Sequence, residues 1–192
     1  MIPKTLGFAL CGSFCTFEPA LAALTRLSRE YETILPILSR VAAETDTRFG
    51  LAADFRARIE AICGRPVIDT LAAAEPIGPK KLLDLLVIAP CTGNTLAKLA
   101  AGIADTPVTL ACKAHLRTGR PVVLAVSTND GLAGNAPSIG QLLQRRHFFF
   151  VPFGQDSPEK KPASLVADMS LVSETVAAAL EGRQLQPMLL RS

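Results

Sequence analysis

Six short apolar runs alternate with longer helix-like segments along most of the chain, and this alternation limits the fold more than any other feature. The runs cover residues 6–11, 33–38, 66–68, 83–89, 121–126 and 148–151. The helix-like segments cover residues 17–31, 51–63, 94–102, 107–117, 137–146 and 164–182. Strands that are apolar on both faces and separated by helices form a parallel sheet covered on both sides. The sequence therefore predicts an α/β fold with a single doubly wound parallel sheet, Rossmann-like, with helices on both faces.

Length and composition indicate one domain. The chain has 192 residues, 49% of them hydrophobic, which is enough for one well-buried core, since domains commonly have roughly 100–200 residues. No internal repeat or low-complexity segment breaks the pattern. We predict an α/β domain over residues 1–182 and a C-terminal tail over residues 183–192.

Charge and hydropathy argue against nucleic acid and membrane as partners. The net charge is +3, and the basic pairs 80–81, 145–146 and 160–161 are far apart in the sequence, whereas a phosphate-tracking surface needs clustered Lys and Arg. We interpret these pairs as solvated surface. The apolar stretch near the amino terminus is too short for a signal peptide, and no run approaches the roughly 18 apolar residues of a membrane span. A cytoplasmic location is expected.

The cysteines and histidines do not form a metal-binding pattern. Five cysteines are present without a CxxC motif, and only His115 and His147 could join them. We therefore expect reduced, mostly buried thiols and no metal site.

The loops after the strands carry the polar residues, and in open parallel sheets the ligand crevice lies beyond the carboxyl ends of the strands. Gly12 and Ser13 follow the first run and suit a small anion such as a terminal phosphate, or serve only the turn. The chain contains neither GxGxxG nor GxxxxGK[ST], which argues against a dinucleotide pyrophosphate or a nucleoside triphosphate.

Three later loops have the same character. Within residues 89–102, APCTGNTLAKLAAG, an apolar strand ends and a helix begins. The first N–H groups of that helix can bind an anion or a polar ligand edge. Arg48 could pair with a carboxylate ligand, or internally with Asp46 or Glu44. Asn129 could contact a ligand or form an Asx-turn. The convergence of these loops predicts a binding cleft.

Two sets of segments carry a resemblance to known proteins. The stretch APCTGNTLAKLAAGIADTP resembles the strand-loop-helix signature of flavoproteins related to the flavin-containing cysteine decarboxylases. The segments TDTRFG, AEPIGPK, LRTGRPVVLAVSTND, VPFGQDSPEKKP and EGRQLQP together resemble the B subunits of bacterial dipicolinate synthases. The second set is much more specific than the first.

The resemblance implies an FMN cleft shared between the chains of a homo-oligomer. It implies Gly12 and Ser13 at the phosphate and Ser39 near the ribityl or ring end. The residues implied to border the flavin ring are Pro90, Thr92, Gly93 and Asn94. Asn129 falls where the decarboxylase relatives bind a substrate carboxylate, and Arg48, Lys160 and Lys161 are our candidates for receiving a dianionic substrate or the partner chain.

The implied activity is that of the B subunits of dipicolinate synthases. Such a chain acts with an A subunit, on which NADP is expected, to convert dihydrodipicolinate, a small dicarboxylate, to dipicolinate in sporulation. One alternative is an FMN-dependent decarboxylase of a cysteine conjugate. The decarboxylase relatives have a histidine before the fourth strand, where this chain has residues 77–81, and a cysteine-bearing flap where it has residues 155–159. Another alternative is a non-catalytic scaffold subunit. The catalytic residue is left open.

Overall fold

The computed structural model describes residues 1–190, which form seven strands and eight α-helices. The strands are β1 (Ile2–Leu10), β2 (Tyr31–Leu38), β3 (Leu85–Cys91), β4 (Val122–Thr128), β5 (Phe148–Phe150), β6 (Phe153–Gly154) and β7 (Leu165–Ala167). The helices are α1 (Phe17–Glu30), α2 (Arg40–Glu44), α3 (Ala52–Cys63), α4 (Leu71–Ala74), α5 (Gly93–Ala101), α6 (Pro107–Leu116), α7 (Ala136–Leu143) and α8 (Val172–Leu180). Short 3-10 turns cover Phe14–Thr16, Glu75–Ile77 and Met169–Leu171.

All seven strands belong to one sheet with the order β2-β1-β3-β4-β7-β6, and β5 pairs with the first half of β4. The pairs among β1, β2, β3, β4 and β5 are parallel. β7 pairs antiparallel with the end of β4 and with β6. The predicted α/β fold is confirmed, and the two antiparallel pairings of β7 make the sheet mixed at one edge.

Helices cover both faces because strands are added on both sides of β1. β2 lies on one side of β1, and β3 and β4 follow on the other side. On one face α1 packs against α3 and α8, and on the other α6 packs against α4 and α5, with α7 beside α5. Every residue of β3 is buried, as expected for a central strand covered on both sides. The core therefore lies on both faces of the sheet. The loops at the ends of the strands are outside this core, so their residues are available to bind ligands.

Helix ends are closed by specific side chains. Thr106 caps α6 in a capping box with Thr109, and Gly102 ends α5 at φ 73°, a conformation that glycine adopts without strain. Arg145 donates to the carbonyl oxygens of Leu99 and Ala100, at 2.9 and 2.5 Å. Both residues of the 145–146 pair are exposed, as predicted, and Arg145 in addition satisfies carbonyls in the last turn of α5.

The predicted strand at residues 66–68 is not formed. Only Ile68 pairs, in a single bridge with Ile37, with hydrogen bonds from Leu38 N to Ile68 O and from Ile68 N to Pro36 O at 2.9 Å each. Pro66 has no N–H to continue the ladder, and Thr70 already caps α4. The pairing is therefore limited to one residue.

The predicted continuous helix over residues 164–182 is also wrong. Residues 165–167 form β7, because Val166 pairs with both Ser127 and Gly154 across the sheet edge. Asp168 then accepts a hydrogen bond from Ser170 N at 2.9 Å, which starts the turn that leads into α8. Tertiary pairing overrides the helical preference of the segment here.

The chain continues along the sheet edge after α8. Gln184 bonds to both backbone polar groups of Phe150, and Leu189 forms a parallel bridge with Phe153. The division at residue 182 remains a prediction, and residues 191 and 192 of the predicted tail lie outside the described residues. No helix in the described part of the chain has the length and apolar character needed to cross a membrane.

Candidate functional site

Two clefts open at the carboxyl ends of β1, β2, β3 and β4. Cleft I, about 400 Å³, is lined from the β1, β3 and β4 loops and from residues 156 and 161. Cleft II, about 410 Å³, is lined from the β1, β2 and β3 loops and from α5. Gly12 and Thr92 line both, so the clefts adjoin. Each volume is within the range of ligand pockets, about 300–1,000 Å³.

Three hydroxyl groups meet in cleft I. The Oγ atoms of Ser13 and Ser127 lie 2.8 Å apart, and Thr16 Oγ1 lies 3.3 Å from Ser127 Oγ. Thr16 Oγ1 also donates to the Ser13 carbonyl at 2.8 Å. Hydroxyl protons rotate, so Ser13 and Ser127 can both turn to donate to an anion that contacts the two oxygens from the cleft. The cluster is suited to phosphate or carboxylate oxygens.

The first turn of α5 forms the wall common to the two clefts. Thr92 Oγ1 accepts from Thr95 N at 3.4 Å, and the Thr92 carbonyl accepts from Leu96 N at 2.9 Å. The N–H groups of Gly93 and Asn94, at the first two helical positions, are the ones that a helix leaves without intrahelical partners. This helix start can therefore bind a polar ligand edge.

Cleft II combines polar and apolar side chains. Ser39 caps α2 by accepting from Ala42 N at 3.3 Å, while Asn94 is exposed at the cleft. Val41 is 54% exposed and lines the same cleft, so it offers an apolar surface for a flat ring. Lys98 is held by Asp105, with both carboxylate oxygens 2.8 Å from Nζ.

One ion pair lies at the rim of cleft I. Lys161 Nζ is 3.0 Å from Asp156 Oδ2, and both residues line the cleft. The Asp156 carboxylate raises the pKa of Lys161 above its ordinary value. Lys161 is therefore a full cation that an incoming anion can share with Asp156.

All five cysteines are free thiols, as expected. Cys15 is exposed in cleft I, whereas Cys11 is buried below cleft II and accepts a hydrogen bond from Thr95 Oγ1 at 3.3 Å. Burial raises the pKa of Cys11 to about 11. Among residues 1–190, no group of three or more His, Cys, Asp or Glu side chains is arranged to hold a metal ion.

The structure brings most of the predicted site residues together. The residues that line cleft I, cleft II or both are Gly12, Ser13, Ser39, Thr92, Gly93, Asn94 and Asn129. Pro90 is buried behind them, and its carbonyl accepts from Cys11 N at 3.2 Å. Arg48 lines neither cleft. Its guanidinium lies 4.9 Å from the centre of the Phe49 ring. It pairs with neither Asp46 nor Glu44. Asp46 accepts instead from Ala52 N, and Glu44 pairs with Arg40.

Two of the hydroxyl groups were not predicted as site residues. They belong to Thr16 and Ser127, neither of which is among the candidate residues taken from the sequence. Ser127 directly follows the apolar run at residues 121–126, which is the signal that selected the other loop residues, and the structure places it near the end of β4. Its contact with Ser13 spans 114 residues and depends on the strand order.

Neither histidine lies at the clefts. His115 is 1% exposed and its Nε2 donates to the carbonyl oxygen of Pro121, directly before the start of β4, at the opposite end of the sheet from the clefts. His147 precedes β5 at φ 72°. Neither residue is therefore placed to act on a ligand in the clefts.

The residues present fit FMN. The hydroxyl cluster of Ser13, Thr16 and Ser127 suits its single phosphate, and the exposed helix start at Gly93 and Asn94 suits the polar edge of a ring. The adjoining clefts provide a continuous lining between these two places through Gly12 and Thr92.

Comparisons with known proteins identify the family of this chain. Residues 4–143 match the Flavoprotein family. The B subunit of dipicolinate synthase from Bacillus subtilis (strain 168) is 44% identical over 189 residues, which cover 98% of this chain and 94% of that protein. The crystal structure of the dipicolinate synthase B subunit from Bacillus halodurans C has a TM-score of 0.91 at 42% identity, covering 100% of this chain and 98% of that one.

A more distant solved structure shares the fold. Burkholderia xenovorans DmrB in complex with FMN, which is described as a cubic protein cage for redox transfer, has a TM-score of 0.68 at 19% identity. The match covers 93% of this chain and 96% of DmrB. The extent and identity of the two nearer matches decide the assignment. The chain belongs to the Flavoprotein family and, within it, to the family of dipicolinate synthase B subunits.

Proposed function

We propose that this chain binds FMN across clefts I and II and acts with the A subunit of dipicolinate synthase to convert dihydrodipicolinate to dipicolinate in sporulation. The observation that carries the proposal is the hydroxyl pair of Ser13 and Ser127, 2.8 Å apart, in a cleft whose neighbouring wall is the start of α5. An anion and a polar ring edge can be bound at the two places together.

The placement of FMN follows from the two ends of the site. The phosphate lies at Gly12, Ser13 and Ser127, and the ring lies beside Thr92–Asn94, with Ser39 towards the ribityl or ring end. The cluster suits one phosphate, and the chain has no pyrophosphate fingerprint, which favours FMN over FAD or NADP.

FMN supplies two-electron redox chemistry when bound, and the conversion of a dihydropyridine to a pyridine removes two electrons and two protons. This chain binds and orients the reactants. Asn129 faces cleft I and is exposed there, so it can donate to a substrate carboxylate. Lys161, on the rim of the same cleft, and Lys160 add positive charge for a dianion. Arg48 belongs to a more distant, exposed turn, where it is available to the partner chain. NADP is assigned to the A subunit.

A homo-oligomer is part of the proposal. Val41, Phe49 and Leu51 are exposed by 54%, 45% and 52% and come from one segment next to cleft II. Large apolar side chains exposed within one short segment are typical of an interface. A second copy of this chain packed there would cover the open side of the flavin site, and light scattering of the purified protein measures the assembly.

Cofactor binding is tested on the gently purified protein. Mass spectrometry of the compound released by mild denaturation, and titration of the apoprotein with FMN, FAD and NADP, identify the preferred ligand. We expect FMN to be released or to bind most tightly. Protein that neither contains nor takes up FMN would remove the flavin from the proposal and leave a scaffold subunit.

The role in the complex is tested by reconstitution. Dipicolinate formation from the precursor with NADP is followed by ultraviolet absorbance for this chain, for the A subunit and for their mixture. We expect turnover only in the mixture. Full activity of this chain alone would contradict its role in a two-chain enzyme, full activity of the A subunit alone would support the scaffold alternative, and carbon dioxide release from a cysteine conjugate would support the decarboxylase alternative.

A further inference from the structure

A hydrogen-bonded network next to cleft I centres on Asp130, a residue in the loop after β4. Its Oδ1 accepts from Thr128 Oγ1 at 2.5 Å, and the Asn135 amide lies 2.8 Å from both carboxylate oxygens. The backbone closes the same loop, with Asn135 N donating to the Asp130 carbonyl at 3.1 Å. The network therefore fixes the loop that carries Asn129.

The network lies directly against the first residue of α5. A Cβ atom on Gly93 would be 2.4 Å from Asn135 Nδ2 and 2.6 Å from Thr128 Oγ1. Both distances are far below van der Waals contact, so only glycine allows this approach. The β4 loop and the start of α5, which form two walls of cleft I, are thus in contact through groups that Asp130 holds in place.

The orientation of the Asn135 amide towards Asp130 is kept although it leaves one polar atom of Asn135 without a partner. Since Asn135 directs its amide N–H groups at Asp130, its Oδ1 is buried without a hydrogen-bond partner, which is unfavourable. Turning the amide over would place Oδ1 against the carboxylate. The Thr128 hydroxyl and, after it, the Asn135 amide hold the pKa of Asp130 below its ordinary value, so the carboxylate is charged at neutral pH.

We propose that Asp130 is a positioning residue for cleft I: through Thr128 and Asn135 it sets the distance between the Asn129 loop and the first turn of α5, and with it the affinity of the site. The identity of the ligand as FMN rests on the function proposed above. The role of Asp130 in holding the two walls together does not.

The test compares Asp130→Asn with Asp84→Asn. The control carboxylate of Asp84 is half-buried and hydrogen-bonded like that of Asp130, but it lies at the opposite end of the sheet, where it accepts from Thr5 N at 2.9 Å and pairs with Arg120 at 3.5 Å. In Asp130→Asn two amide groups face each other and the charge-assisted bonds are lost. We expect the FMN dissociation constant to rise about 10-fold in Asp130→Asn and to stay unchanged in Asp84→Asn.

A swapped pair separates positioning from stability. The double variant Asp130→Asn, Asn135→Asp restores one amide facing one carboxylate, and we expect it to recover most of the affinity. Hydrogen exchange of the amides in residues 93–96 gives a readout without ligand. It should rise in Asp130→Asn, stay low in Asp84→Asn and fall again in the swap.

The outcomes distinguish this inference from the proposed function. If the unchanged protein does not bind FMN, the exchange rates still decide the role of Asp130. If Asp130→Asn lowers the melting temperature as Asp84→Asn does, while leaving exchange at residues 93–96 and FMN affinity as they were, Asp130 has only a structural role and the inference is wrong.

Discussion

The hydroxyl oxygens of Ser13 and Ser127 lie 2.8 Å apart, although the two residues are 114 positions apart in the sequence and belong to strand ends separated by β3. Their contact joins the first and fourth strand-end loops into one anion-binding surface. Because Ser127 is almost fully buried, at 4% exposure, its hydroxyl is shielded from bulk water, which strengthens a hydrogen bond from it to a charged ligand.

Removing either hydroxyl should weaken the binding of FMN more than it weakens the fold. We expect Ser13→Ala and Ser127→Ala each to raise the FMN dissociation constant about 10-fold, which corresponds to ~1.4 kcal/mol. Titration by flavin fluorescence measures the affinity, and thermal unfolding without ligand measures the stability. Ser28→Ala, which removes a hydroxyl bonded to the Thr25 carbonyl on α1, is the control. An unchanged affinity in both variants would show that the pair serves only the loop.

The thiols should differ sharply in reactivity. Cys15 is exposed in cleft I, whereas burial raises the pKa of Cys11 to about 11 and of Cys63 to about 12. Since the thiolate is the reactive form, we expect a maleimide to label Cys15 first in the native protein at neutral pH. Peptide mapping by mass spectrometry identifies the labelled residue.

Ligand in cleft I should protect Cys15. Cys15 lines the same cleft as Ser13, and its Sγ lies 3.9 Å from Ser13 Oγ. Saturating FMN is therefore expected to slow its labelling several-fold, while the rate for denatured protein stays the same. Equal rates with and without FMN would place the cofactor away from this end of the cleft.

Stability should fall as the pH is lowered below about 6.5 because of His115. Burial lowers the pKa of His115 below its ordinary value of 6.5, so the unfolded chain takes up a proton at a higher pH than the folded chain. The free energy of unfolding then decreases from pH 6.5 down to the folded pKa. His115→Gln should flatten this part of the profile in urea unfolding, as Gln has no proton to gain.

The other histidine is the control for this effect. His147 is exposed at φ 72°, a conformation that Asn tolerates, so His147→Asn should leave the decrease below pH 6.5 in place. The assignment to His115 is wrong if the decrease disappears in His147→Asn and persists in His115→Gln.

Arg145 should stabilise the fold where its neighbour does not. It donates to two carbonyl oxygens in the last turn of α5, so Arg145→Ala should lower the free energy of unfolding by about 1–2 kcal/mol. Arg146→Ala, one residue further on at an exposed position, should change it by less than about 0.5 kcal/mol. Equal losses in the two variants, measured by urea unfolding, would contradict the capping role.

The parts of the fold that follow from local pattern were predictable. The parallel strands are buried apolar runs, and the start of α5 carries its signal in the threonine, glycine and asparagine at residues 92–94. Placement of polar loops at one end of the sheet follows from parallel strands alone. Most of the candidate cofactor residues therefore line the two clefts, and their role as cofactor ligands remains a prediction.

The parts that depend on distant pairing were not predictable. β7 exists because it pairs with the end of β4 and with β6, and a three-residue strand leaves no periodicity to recognise. Thr16 and Ser127 belong to the hydroxyl cluster only once β1 and β4 are arranged around β3. Arg48 has the chemistry of a carboxylate ligand, but its turn projects it onto Phe49, and residue type alone does not give direction.

The final described residues occupy the outer side of β6. Phe153 N donates to the Met188 carbonyl at 3.0 Å, and Leu190 N donates to the Phe153 carbonyl at 2.9 Å. A free strand edge is a template on which a strand of another molecule can grow, and such growth leads to aggregates. Here residues 188–190 already bond the backbone groups of Phe153. They keep this edge of the sheet closed to the addition of strands from other molecules, which favours colloidal stability when the protein is concentrated.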